Sequence, residues 1–241
     1  MKILILGGTA EARQLANRLV AMGHDVTSSL AGRTSQPVLP EGRVRSGGFG
    51  GIPGLVAYLE AHHIERLIDA THPYAEQMSA HAVRAGAMAH VPLVRLLRPG
   101  WTEPEGADWL HVRTMAEAAG ALPSGARVLV TSGHAELDTL LGRVDCGFVV
   151  RVIEPPAAAL PSHAELLLDR PPYGAEGEAA LLRRHAITHL VTKNSGGGQT
   201  SAKLMAAQAL NVRVIMVARP DYLPAVEVTD IAAAIAALHL A

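Results

Sequence analysis

The residues best suited to chemistry stand in short polar turns that follow apolar runs. Leu4-Ile5-Leu6 leads into Gly7-Gly8-Thr9-Ala10, a glycine turn between a strand and a helix, where backbone N–H groups and the helix dipole favour a phosphate. The spacing departs from G-x-G-x-x-G, because Thr9 holds the second glycine position and Ala12 the last. Taken alone, the turn fits any tight βα connection as well as a dinucleotide site. The next strand-like run ends at Leu30 and is followed by Ala31-Gly32-Arg33-Thr34. An NAD enzyme places an acid near this point, whereas Arg33 suits the 2′-phosphate of NADPH.

Three further runs end in turns of the same kind: Asp69-Ala70-Thr71-His72-Pro73-Tyr74, Thr131-Ser132-Gly133-His134 and Thr192-Lys193-Asn194-Ser195-Gly196-Gly197-Gly198. Open parallel sheets bind ligands beyond the carboxyl ends of their strands. Thr71 and His72 are therefore expected beside the nicotinamide, with Gly7, Gly8, Thr9 and Ala10 at the pyrophosphate. Thr131, Ser132, Gly133 and His134, together with Lys193, Asn194, Ser195, Gly196 and Gly197, are expected around an anionic substrate. Asp69 is the acid inside an apolar strand end, where burial would raise its pKa and make it a proton donor. His72 and Lys193 complete the expected catalytic set. Each feature also has a plainer account. Thr71 reads as an N-cap with Pro73 in the first helical turn, Asp69 as a turn hydrogen bond, and the three glycines as a flexible loop.

Other chemistries lack their signatures. No G-K-[ST] follows Gly196–Gly198 at Walker A spacing, so ATP hydrolysis is disfavoured. The chain has 12 histidines but no H-E-x-x-H and no Cys/His cluster, so no metal site is expected. Cys146 reads as a small core filler. Trp101 would either cover a flat ligand or pin the two domains together. A formal charge of -1 leaves no basic excess for a nucleic-acid partner. No apolar stretch reaches the ~18 residues of a membrane span, and the N-terminus shows no signal-peptide pattern. With a single cysteine, a cytoplasmic location is expected.

The turns need a scaffold, and the sequence outlines one. Its 241 residues are 49% hydrophobic and 18% charged, enough apolar material for a full core. Strand-like runs at Lys2–Leu6, Val26–Leu30, Arg66–Ala70 and Pro92–Leu96 alternate with helical periods at Ala10–Met22, Leu55–His62 and Ala75–Ala89. Periodicity weakens between Leu97 and Gly125 around one helix at Thr114–Ala121. It restarts with runs at Arg127–Thr131, Phe148–Ile153, Thr188–Thr192 and Val212–Val217. Helices at Ala135–Leu141, Glu176–His185, Gln199–Leu210 and Asp230–Leu238 accompany them. This predicts an α/β protein of two Rossmann-like domains, 1–122 and 123–241, each with a parallel sheet and with an active-site cleft between them.

Taken together, Gly7-Gly8-Thr9-x-Glu11-Ala12-Arg13, Asp69-Ala70-Thr71-His72-Pro73-Tyr74-Ala75, Arg98-Pro99-x-Trp101, Thr131-Ser132-Gly133 and Lys193-Asn194-Ser195-Gly196-Gly197 span nearly the whole chain. In this combination the sequence resembles the precorrin-6A reductases. It departs from their pattern at Arg170-Pro171-Pro172-Tyr173 and in the glycine-rich Ser46–Gly51. The resemblance implies NADPH as cofactor and reduction of a conjugated double bond of the precorrin-6A macrocycle to give precorrin-6B. The substrate would be a precorrin-type tetrapyrrole, with other cobalamin-pathway enzymes as further partners. The rival expectations are another tetrapyrrole-pathway oxidoreductase and a dinucleotide-sensing module that binds NADPH without consuming it.

Overall fold

The computed structural model describes residues 1–32 and 38–238. In chain order the first elements are β1 (Lys2–Leu6), α1 (Ala10–Ala21), β2 (Asp25–Leu30), β3 (Arg43–Ser46), α2 (Gly51–Ala61), β4 (Arg66–Asp69), α3 (Glu76–Met88) and β5 (Leu93–Leu96). The next are β6 (Trp109–Val112), α4 (Met115–Ala121), β7 (Arg127–Val130), α5 (Leu137–Leu141), β8 (Gly147–Val152) and β9 (Ala164–Leu168). Then come α6 (Ala175–Arg184), β10 (His189–Lys193), α7 (Ala202–Ala209), β11 (Arg213–Val217), β12 (Val226–Val228) and α8 (Ile231–Ala237).

The chain forms two compact units: Met1–Pro99 with Pro220–Ala241, and Gly100–Arg219. The first holds a six-stranded sheet in the order β12-β5-β4-β1-β2-β3, with every pairing parallel. Counted within the unit this is the 3-2-1-4-5-6 order of a doubly wound dinucleotide fold, with its switch point between β1 and β4. Successive β1 side chains face opposite ways. Ile3 and Ile5 pack under α1 and α8, while Leu4 and Leu6 pack under α2 and α3.

The second unit repeats the plan. Its sheet runs β6-β11-β10-β7-β8-β9, again all parallel. Val128 and Val130 of β7 face α4 and α5, and Leu129 faces α6 and α7. The sixth strand and helix of each unit come from the opposite side of the chain. β6 and α4 follow β5 yet build the second unit, and β12 and α8 follow β11 yet build the first.

The division therefore falls elsewhere than the expected 122/123 boundary. The weakly periodic stretch around Pro104 and Gly106 is not a linker: β6 pairs in register with β11, Trp109 opposite Val214. The four edge strands, β3, β6, β9 and β12, are absent from the sequence reading. They are short and partly exposed, and their apolar residues, such as Leu166–Leu168 of β9 or Val226 and Val228 of β12, are too few to mark a strand by period alone.

Candidate functional site

In the first unit, β1 ends against a turn that only glycine fits well. Gly7 donates its N–H to the Ser29 carbonyl at 2.9 Å, and Gly8 has φ +111°, a conformation that L side chains rarely adopt. A Cβ built at Gly8 would meet nothing within 4 Å, so the turn opens onto free space. Thr9 then caps α1, accepting from the Ala12 N–H at 3.1 Å. The same hydroxyl donates to the Ala70 carbonyl at 2.9 Å, which ties the β1 turn to the β4 turn across the switch point. The N–H groups of Ala10 and Glu11 lie in the first helical turn, where no intrahelical acceptor exists. Open space, unused donors and a positive dipole suit a pyrophosphate. A small depression here is lined by Thr9, Glu11, Thr71, Pro73, Leu96, Leu97 and Arg98, and Arg98 donates to Glu11 at 2.9 Å.

The β4 turn is braced from below. Asp69 is 1% exposed. One carboxylate oxygen accepts from the Thr71 hydroxyl at 2.7 Å, and the other lies 3.4 Å from Nε of Arg95. Arg95, 4% exposed on β5, also donates to the Leu223 carbonyl at 3.1 Å, and its guanidinium lies under the Tyr222 ring. Asp69 is thus an ion-paired anchor with both oxygens engaged, and proton donation does not follow from this geometry. Thr71 does not cap a helix, because α3 begins at Glu76 and has Ala75 at its N-cap. His72 is exposed, and its Nδ1 accepts from the Tyr74 N–H at 3.2 Å; the neutral ring then carries its proton on Nε2. Arg33 lies outside the described residues.

In the second unit the β7 and β10 turns occupy the equivalent switch point. Thr131 donates its N–H to the Val191 carbonyl at 3.0 Å, Gly133 has φ +78°, and His134 donates from Nε2 to the Glu154 carbonyl at 2.7 Å. The Ser132 hydroxyl is buried without a hydrogen-bond partner among the described residues. Lys193 ends β10 with 9% exposure, and its ammonium lies 4.0 Å from Glu136. Burial pushes the Lys193 pKa down, opposed by that carboxylate.

The turn after Lys193 is held rigidly. Asn194 accepts from the Trp101 N–H at 2.7 Å and donates to the Trp101 carbonyl at 3.0 Å. The Trp101 indole donates to the Gly197 carbonyl at 2.9 Å, and Arg219 donates to the Asn194 carbonyl at 2.8 Å. Asn194 is therefore a brace for Trp101. Ser195, Gly196 and Gly197 form the crest of the turn, Ser195 and Gly197 half-buried and Gly196 buried, with φ +68° at Gly196 and +80° at Gly197. Lys203 of α7 lies 4.9 Å from the face of the Trp101 ring and is buried beside the Arg151–Glu178 ion pair. Its pKa is pushed down to about 7, first by burial and then by Arg151, with Glu178 opposing. Arg95, Arg151 and Lys203 were missed in the sequence reading; each left a signal, a cation inside an otherwise apolar strand or helix.

Among the described residues no group of three or more His, Cys, Asp or Glu side chains is placed to hold a metal. None of their helices is long and apolar enough to cross a membrane.

A six-stranded 3-2-1-4-5-6 sheet with a glycine turn at its switch point defines the dinucleotide-binding α/β class. A family model described as precorrin-6x reductase CbiJ/CobK matches residues 2–239, and the chain belongs to that family. The precorrin-6A reductase of Rhodococcus erythropolis is 48% identical over 238 residues, covering 98% of this chain and 96% of the relative. The precorrin-6A reductase of Mycobacterium tuberculosis (strain ATCC 25618 / H37Rv) is 43% identical over 221 residues, covering 91% and 89%. A solved CobK precorrin-6A reductase superposes with a TM-score of 0.94 at 39% identity, covering 99% of this chain and 96% of its own.

Proposed function

We propose that this chain reduces a conjugated double bond of precorrin-6A with NADPH, giving precorrin-6B in cobalamin biosynthesis. The observation that carries the reading is a glycine turn at the switch point of a dinucleotide-type sheet, in a chain that belongs to the precorrin-6x reductases. NADPH, when bound, supplies hydride from its nicotinamide C4, and one proton completes the addition, leaving NADP⁺.

The residues of the chain bind and orient. Gly8, Thr9 and Ala10 offer N–H groups to the pyrophosphate, since that of Gly7 is committed to Ser29. Arg33 takes the 2′-phosphate, and Thr71 with His72 holds the nicotinamide end. Asp69 serves as a positioning residue: clamped by Arg95, it fixes the Thr71 hydroxyl. His72 presents an N–H donor at the exposed edge of the β4 turn, and Lys193 carries an ammonium that burial makes readier to release its proton. Lys193, the Thr131–His134 turn and the crest Ser195–Gly197 meet the acid side chains of the macrocycle, as the unpartnered Ser132 hydroxyl supports. A cytoplasmic location and hand-over to other enzymes of the pathway belong to the same reading, and co-purification would detect the latter.

Cofactor titration tests it. Wild type should bind NADPH more tightly than NADH. Arg33→Ala should lose about 1.5–3 kcal/mol for NADPH and little for NADH, the loss expected for a charge-assisted contact. NADPH should be consumed only when the tetrapyrrole is present. Binding without consumption would favour a sensing module, and equal binding of both cofactors would remove the 2′-phosphate assignment.

A further inference from the structure

A second arginine stands beside the carboxyl end of β2. Arg45 lies near the end of β3, and its guanidinium reaches across to β2, donating to the Ser29 hydroxyl at 2.6 Å. It also donates to the carbonyls of Gly47 at 3.0 Å and Gly48 at 2.9 Å. The guanidinium plane is stacked 3.8 Å from the Phe49 ring centre, with Tyr58 of α2 behind it at 5.4 Å. Ser29 links this group to the cofactor turn, because its carbonyl accepts from Gly7 while its hydroxyl accepts from Arg45.

The guanidinium is held by three hydrogen bonds and an aromatic ring, and it is half-buried. All three of its acceptors are neutral oxygens, and among the described residues it makes no ion pair with a carboxylate. Its strand neighbour Arg43 pairs with Asp25, and Arg95 of β5 pairs with Asp69. The loop that carries it is built tightly onto α2: a Cβ at Gly54 would fall 1.7 Å from the Phe49 carbonyl oxygen. A cation held on neutral oxygens and still partly open to solvent is placed to take a charge-assisted bond from an arriving anion. In a sheet of this order the end of β2 is where the adenosine ribose of a dinucleotide is read, and an arginine there suits a 2′-phosphate.

We infer that Arg45, seated on Phe49 and steadied by Ser29, is a specificity-determining residue for the 2′-phosphate of NADPH. The inference rests on the cofactor reading above and adds a structurally placed group to Arg33. The probes are 2′,5′-ADP and 5′-ADP, which differ at the 2′-phosphate, titrated calorimetrically against wild type, Arg45→Gln, Arg45→Ala and Arg33→Ala. Glutamine keeps an amide plane over Phe49 and donors for the carbonyls, so it keeps the loop if the alanine variant does not fold. Arg45→Gln should weaken 2′,5′-ADP by about tenfold or more while 5′-ADP changes little, as for loss of a charged partner. Equal weakening of both nucleotides, or unchanged discrimination, would overturn the inference. If discrimination survives Arg45→Gln but is lost in Arg33→Ala, Arg45 is excluded and the cofactor reading stands. If wild type itself does not prefer 2′,5′-ADP, the cofactor reading fails with it.

Discussion

Buried charges decide most of what individual residues do in this protein. Asp69 and Arg95 form a pair with 1% and 4% side-chain exposure, and removing one member of such a pair leaves the other charge uncompensated. Asp69→Asn should therefore cost about 3–5 kcal/mol in urea or thermal unfolding; a variant as stable as wild type would show that the pair does not anchor the β4 turn. Lys203 supplies a pH prediction. Its ammonium ordinarily titrates at 10.5 but at about 7 in the folded protein. Between those values the unfolded chain binds a proton that the folded protein lacks, so stability from this residue rises from about pH 7 to about 10.5 and stays at its lower level below 7. Lys203→Met should raise the melting temperature most at pH 6–7 and progressively less toward pH 10. A gain that does not change with pH would rule out the buried ammonium as its cause. Lys193→Ala should keep the wild-type melting temperature within a few degrees while kcat/KM falls roughly 10–100-fold. At this scale the sequence displayed the turns but not their internal bonds. That Asp69 meets Arg95, or that Asn194 grips Trp101, depends on strands and segments brought together only by folding.

At the scale of elements, the turn that joins β1 to α1 carries the clearest consequence. Gly8 has φ +111° and faces open space, so Gly8→Ala adds strain of about 1–3 kcal/mol and a methyl group where the pyrophosphate is held. Two readouts should move together, a lower melting temperature and weaker NADPH binding; unchanged affinity would show that the turn does not cradle the cofactor. Most inner strands and helices were legible because buried parallel strands are mainly apolar runs and the helices carry an apolar stripe; β2, with Thr27, Ser28 and Ser29 buried, departs from that pattern. α2 begins at Gly51, four residues before its first fully buried position at Leu55, and Gly54, which breaks the apolar pattern of its first turn, is needed for the close approach to Phe49. α3 starts at Glu76 because Pro73 and the Asp69–Thr71 bond keep the preceding turn non-helical. The strands β3, β6, β9 and β12 were not legible, being short, of mixed polarity and identified only by the partner they pair with.

Across the whole molecule, each unit depends on a strand and helix that the chain delivers late or early. α8 covers α1 through Ala234 and Leu238, and β12 pairs with β5. α4 supplies Met115 and Ala118 to the core of the second unit. A cut at 122/123 strips both units of these pieces. Residues 1–122 should melt well below a chain in which 1–99 is joined by a short linker to 220–241, and only the latter should bind NADPH with near wild-type affinity. Equal stability of the two would mean that β12 and α8 are dispensable. The central claim, hydride transfer from NADPH to a precorrin-6A double bond, is tested most directly by isotope transfer. The enzyme is given precorrin-6A and NADPH deuterated at the transferable C4 position, and the corrinoid product is analysed by mass spectrometry. The account predicts one deuterium per macrocycle and one equivalent of NADP⁺ formed; cofactor oxidation without deuterium in the macrocycle, or no oxidation at all, would contradict it.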